Sequence, residues 1–159
     1  MYLTKNKKNL LIGSVKISFL SIIILLISYF FVDNKFLIGP ILILLGLMSL
    51  SAFSLSRTKL KVLWADIVFG LIDNGMLAIF IIAGWEIFGI LGAIIGGVVG
   101  NSITDGLAGI FEGYEWEKIR ASKTKDNRNI LSVAVGKLAG CLIGAGLVLT
   151  IAWSILGLK

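Results

Sequence analysis

Four residues in two short stretches have the makings of an ion site. Asp73 and Asn74 are neighbours in "VFGLIDNGMLAIF" (68–80), and Asn101 and Asp105 stand one helical turn apart in "VGNSITDGLAGIF" (99–111). Both stretches are otherwise apolar and glycine-rich. The carboxylates, the amides and the Thr104 hydroxyl offer a metal only oxygen. That is the donor type of hard cations such as Ca²⁺, which takes about six to eight oxygens. Asp66, seven residues before Asp73, falls on the same helix face. Glu112, seven after Asp105, continues the second stripe. Lys137 is the one charge in the last apolar stretch.

The solvent around them makes these residues informative. A charged side chain at mid-membrane costs roughly 2.5–3.5 kcal/mol, so Asp73, Asp105 and Lys137 together cost roughly 8–10 kcal/mol before compensation. They must be paired, hydrated or neutralised by a bound ion. A structural salt bridge from Lys137 to one aspartate leaves a carboxylate over. It also leaves unexplained why Asn101, Ser102, Thr104 and Asp105 cluster. A cation site held by Asp73, Asn74, Asn101 and Asp105, with Thr104, Asp66 and Glu112 as further donors, accounts for both. Lys137 then serves as counter-charge to the unloaded site.

Other chemistries are excluded. The chain has no histidine, which removes His-ligated zinc or copper and His-based catalytic dyads. Its single cysteine, Cys141, excludes an intramolecular disulfide. An intramembrane aspartyl dyad is the one enzyme left, suggested superficially by "IDNG" and "ITDG". It needs two carboxylates sharing a proton. The expectation is a protein that is not an enzyme and carries no cofactor.

The elements that position these groups follow from composition. The chain has 159 residues, 57% hydrophobic and 15% charged, with mean hydropathy +0.98. A soluble domain is about a quarter charged, so this is an all-α, polytopic membrane protein. Five apolar spans cover about 10–32, 36–56, 62–84, 87–110 and 130–156. The chain is one membrane domain over 1–159: a two-helix scaffold at 10–56, and a three-helix transport core at 62–156 with a cytoplasmic loop at 112–129.

The net charge of +6 reflects topology rather than nucleic-acid binding. Lys5, Lys7 and Lys8 precede span one. Arg57, Lys59 and Lys61 lie between spans two and three. Lys118, Arg120, Lys123, Lys125 and Arg128 lie between spans four and five. The alternate loops carry Lys35 beside Asp33, Glu86 and Lys159. The N-terminus is therefore expected in the cytoplasm and the C-terminus outside. The basic start "MYLTKNKKNLLIG" runs into an uncleaved first span. Trp64, Trp85 and Trp153 fall near span ends, with Trp116 just beyond span four, as expected at headgroup level. In the loop, Glu112, Glu115 and Glu117 precede the basic run. This pattern suits a solvated segment touching anionic lipid, or a funnel for cations.

Glycine recurs every four residues at Gly92, Gly96 and Gly100, and again at Gly136, Gly140 and Gly144. That spacing lets helices approach closely, and it also permits local unwinding beside the polar positions. Stretches 68–80 and 99–111 can be overlaid with five identities, which places Asn74 on Asp105. Spans three and four cross in opposite directions, so the overlay hints at an inverted repeat of the kind transporters build around a midplane site.

Three motifs in order, "FGLIDN" (69–74), "GNSITDGLAGIFEGY" (100–114) and "GKLAGCLIG" (136–144), resemble the transmembrane protein 65 family. The resemblance covers about 62–156 and leaves spans one and two outside it. It implies a membrane protein of sodium-dependent calcium export. Asp73, Asn74, Asn101 and Asp105 correspond to the family's intramembrane acid/amide motifs, and Lys137 to its GK motif. The animal members are mitochondrial. No presequence is visible here, and the Ile- and Lys-rich composition points to a prokaryotic plasma membrane.

The resulting expectation is sodium/calcium exchange by alternating access, in a lipid bilayer, by a symmetric homodimer. Three helices enclose a pathway poorly without a second copy. A magnesium or proton-coupled transporter is the nearest alternative. A non-transporting scaffold or regulatory subunit, whose polar groups specify helix packing, belongs to a different class.

Overall fold

The structure, a computed structural model, describes residues 2–54, 60–122 and 130–158. Side chains at several of these positions, those of Glu112 and Glu115 among them, fall outside the described set. So do Arg57, Lys59, Lys123, Lys125 and Arg128, which carry much of the expected orientation signal. Every described element is a helix: α1 Tyr2–Phe31, α2 Lys35–Ser54, α3 Leu60–Ser122, α4 Ile130–Thr150, and a π-helical turn, Ile151–Ile155.

Three segments are long and apolar enough to cross a membrane: Leu10–Phe31, Leu63–Phe111 and Ile130–Ile155. Lys35–Ser51 is a shorter apolar helix. Large hydrophobic side chains face outward throughout, with Tyr29 78% and Phe30 80% exposed. That surface is compatible with a membrane location.

The 63 residues of α3 form a hairpin rather than one rod. Gly89 has φ 61° and ψ −142°, inside an otherwise helical run. Residues with a Cβ avoid that region, whereas glycine enters it freely. The reversal expected at Trp85–Glu86 therefore falls at Gly89, with both of those residues still helical. The two arms then run antiparallel. Gly92 lies against the Gly84 carbonyl, Gly96 against the Phe80 carbonyl, and Gly100 against the Phe80 ring. The first glycine stripe thus packs the hairpin on itself.

The second stripe packs α4 on the first arm of α3. Gly136 lies against Leu63 and Asp66, Gly140 against the Ile67 carbonyl, and Gly144 against the Leu71 carbonyl. In return Gly70 lies against Lys137 and Cys141. These pairs advance together along both helices, so the two are parallel. On its other side α4 takes α2: Gly39 meets Gly146 and Thr150, and Gly46 meets Ala139 and Ile143. The helix assigned to a scaffold is thus wedged against α4 as tightly as the core helices are. Leu63 and Val135 are the buried centre, with Ile17, Ile67 and Leu131 around them.

The helix ends obey local rules. Asn34 caps α2, its Oδ1 accepting the Leu37 N–H at 3.3 Å. The π-turn shows the Leu156 N–H donating to the Ile151 carbonyl at 2.9 Å. It closes at Gly157, φ 65°, where the Leu158 N–H donates to the Ala152 carbonyl at 3.0 Å.

Candidate functional site

The α3 hairpin brings two polar side chains to one cavity. Asp73 on the first arm and Thr104 on the second line a space of about 190 Å³. Its other walls are apolar, Phe69, Met76 and Phe111 among them. Thr104 is 3% exposed, and its hydroxyl donates back to the Asn101 carbonyl at 3.1 Å. Both hydroxyl lone pairs therefore remain to accept a hydrogen bond or bind an ion. Asp73 Oδ1 is buried and meets no hydrogen-bond partner among the described residues. A buried carboxylate oxygen in that condition is costly unless something else satisfies it.

The pair named by the overlay, Asn74 and Asp105, does not line this cavity; the positions beside them do. Asp73 and Thr104 share the cavity, and so do Met76 and Leu107. Phe69 and Asp73 are one turn apart on the first arm. Lys137 Nζ lies over the Phe69 ring, 4.4 Å from its centroid. Asp73 and Lys137 are both within electrostatic reach of the Cys141 thiol. Cation and carboxylate are thus held in one neighbourhood by the contact between α4 and the first arm of α3.

The other half of the expected site faces elsewhere. Asn101 and Asp105 are exposed on the second arm, where Asn101 Nδ2 donates to Asp105 Oδ2 at 2.8 Å. Neither lines the cavity. The reason is angular. Thr104 points into the hairpin, and its neighbour Asp105 is turned about 100° away along a helix of 3.6 residues per turn. Asn74, likewise adjacent to Asp73, is half-buried and outside the lining. Asp66 is buried, 6% exposed, against Gly136. Glu112 lies outside the described side chains. Among the described residues no group of three or more His, Cys, Asp or Glu converges. A cation here would draw on hydroxyl, amide and carbonyl oxygens, or on a second copy.

Glycine does not loosen the second arm. Residues 90–122 are continuous helix, so backbone carbonyls at 100–106 remain in the helical ladder. Ser102 also bonds back within it, its hydroxyl donating to the Val98 carbonyl at 2.9 Å. Gly106 and Gly109 have open space where a Cβ would stand, on the side that carries Asp105.

Sequence reasoning missed Phe69 as the rest for Lys137. The signal was present, an aromatic one turn before Asp73, but apolar spans are full of aromatics. No family model, curated protein or solved structure matches this chain.

Proposed function

We propose that this protein is a membrane cation transporter, exchanging calcium for sodium by alternating access. The observation that carries the reading is the Asp73 carboxylate. It lines a largely apolar cavity inside a membrane-length hairpin, has one oxygen buried and unpartnered among the described residues, and faces a hydroxyl. Maintaining that arrangement costs several kcal/mol unless a cation occupies it.

In this reading Asp73 and Thr104 form the inner part of the site. Lys137 on Phe69 is the counter-charge that steadies the empty carboxylate and yields to the arriving ion. Asp105 and Asn101 form a second station on the outer face of the hairpin. An exposed carboxylate and amide on a lipid-facing helix are unfavourable alone. Beside them Gly106 and Gly109 leave room for close approach. A second copy packed there on a two-fold axis would bring two Asp105–Asn101 pairs together, matching the charge of a divalent ion. Five crossings follow, with the hairpin at Gly89 supplying the third and fourth. The N-terminus is in the cytoplasm and the membrane is a prokaryotic plasma membrane.

A second reading has its own support. Asn101 and Asp105 are hydrogen-bonded to each other, as polar groups that only specify helix association would be. A non-transporting subunit would then need Asp105 for assembly and would carry no ion. The test is ⁴⁵Ca²⁺ flux into proteoliposomes of the purified protein, with and without an opposing sodium gradient, beside a magnesium control. Sodium-dependent calcium flux is expected. Flux of magnesium alone would move the assignment to that ion, and no flux of either would leave the subunit reading.

A further inference from the structure

At the end of the bundle away from Asp66, four segments meet around a second cavity of about 320 Å³. The start of α2 gives Lys35, the end of the first α3 arm gives Trp85 and Glu86, and the π-turn after α4 gives Trp153. Ile82 and Ala93 form apolar wall. In sequence these are scattered interfacial residues, unremarkable singly. In the fold two indoles, one cation and one anion face the same space. Its size is within the usual range of small-ligand sites.

The two charges stand where helix electrostatics disfavours them. Lys35 occupies the first turn of α2, at the positive end of that helix. Glu86 is in the last turn of the first α3 arm, at its negative end. Neither placement helps its own helix. Each one instead strengthens a local field: positive around the start of α2, negative around the end of the arm. The largely apolar cavity is therefore flanked by one residue of each sign, with indoles alongside. A ligand complementary to it carries a phosphate at one end and an amine at the other. Indole faces attract a cationic amine, and indoles favour the headgroup level of a bilayer.

We propose that this cavity binds the headgroup of a zwitterionic phospholipid. Lys35 and the start of α2 receive the phosphate, and Glu86, with the indoles of Trp85 and Trp153, receives the amine. The apolar wall meets the beginning of the acyl chains. Phosphatidylglycerol, whose headgroup ends in a neutral glycerol, would satisfy Lys35 and leave Glu86 without a cationic partner, so the site discriminates by headgroup. The bound lipid would tie α2 and the π-turn to the tip of the hairpin. This inference does not rest on the ion carried by the protein.

Native mass spectrometry of the full chain in detergent tests it, with phosphatidylethanolamine, phosphatidylcholine and phosphatidylglycerol offered at equal concentration. The two zwitterionic lipids should be retained about tenfold over the anionic one. Glu86→Gln should reduce that preference to about threefold or less. Lys35→Gln should weaken retention of all three. Both side chains are exposed, so both variants should keep the thermal midpoint of the parent. Equal or better retention of phosphatidylglycerol by the parent overturns the proposal. So does a preference that both variants leave unchanged. Soluble phosphoethanolamine binding as tightly as the lipid would overturn the lipid assignment in favour of a free solute.

Discussion

Asp73 and Thr104, on opposite arms of the α3 hairpin, line one cavity, while Asp105, next to Thr104 in sequence, is turned to the outside. One residue along a helix separates a cavity-lining side chain from a surface. Each polar group therefore has its own experimental consequence.

Lys137 rests on Phe69 and shares a neighbourhood with Asp73. Lys137→Met removes the counter-charge and keeps an unbranched apolar side chain. Calcium affinity should rise by on the order of tenfold, because the ion no longer meets a cation in a low-dielectric site. Stability should fall by about 0.5–2 kcal/mol with the lost cation–π contact. Equilibrium ⁴⁵Ca²⁺ binding and thermal unfolding in detergent measure the two separately. A structural lysine would give the second effect without the first.

Glycines in this chain separate into three kinds. Gly89→Ala forces a Cβ into φ 61° although nothing crowds it, and should cost about 1–3 kcal/mol. Gly106→Ala is also uncrowded but helical, and should stabilise the isolated monomer by up to about 1 kcal/mol. Gly140→Leu drives a side chain into the Ile67 carbonyl and should cost about 1–3 kcal/mol or more through overpacking. Chemical unfolding in mixed micelles ranks all three.

The outer face of the second arm predicts where two copies meet. In a Cys141→Ala background, Gly106→Cys should form a disulfide-linked dimer on mild oxidation in membranes. Phe30→Cys, equally outward on α1, should not. Non-reducing gel mobility reads the result. Cross-linking at Phe30 alone would move the contact to α1 and leave Asp105 without its second copy.

How far the sequence carried this reading depended on the kind of signal. The glycine stripes at Gly92–Gly96–Gly100 and Gly136–Gly140–Gly144 were legible, since a four-residue period lines small residues along one face of an apolar helix. Which helix each stripe would face was not legible. The first packs its own hairpin and the second packs the first arm of α3. The reversal was legible to within a few residues, since Trp85 and Glu86 interrupt the apolar run, but its exact place at Gly89 was hidden among many glycines. Asp73 was legible as a costly charge. Its partition from Asp105 was not, since face assignment across two helices depends on where the turn falls. The convergence of Lys35, Glu86, Trp85 and Trp153 joins residues up to 118 positions apart, and only the packing of α2 and α4 reveals it.

The most direct measurement is sodium-gradient-driven ⁴⁵Ca²⁺ uptake into proteoliposomes by the Asp73→Asn variant beside the parent and Asp105→Asn. Asp73→Asn keeps the shape and removes the charge, so it should abolish uptake, a loss of on the order of a hundredfold or more, with its fold retained. Asp105→Asn should lower uptake and weaken association of the two copies. Uptake by Asp73→Asn at the rate of the parent would contradict the account, because the cavity between the hairpin arms would then hold no transported ion.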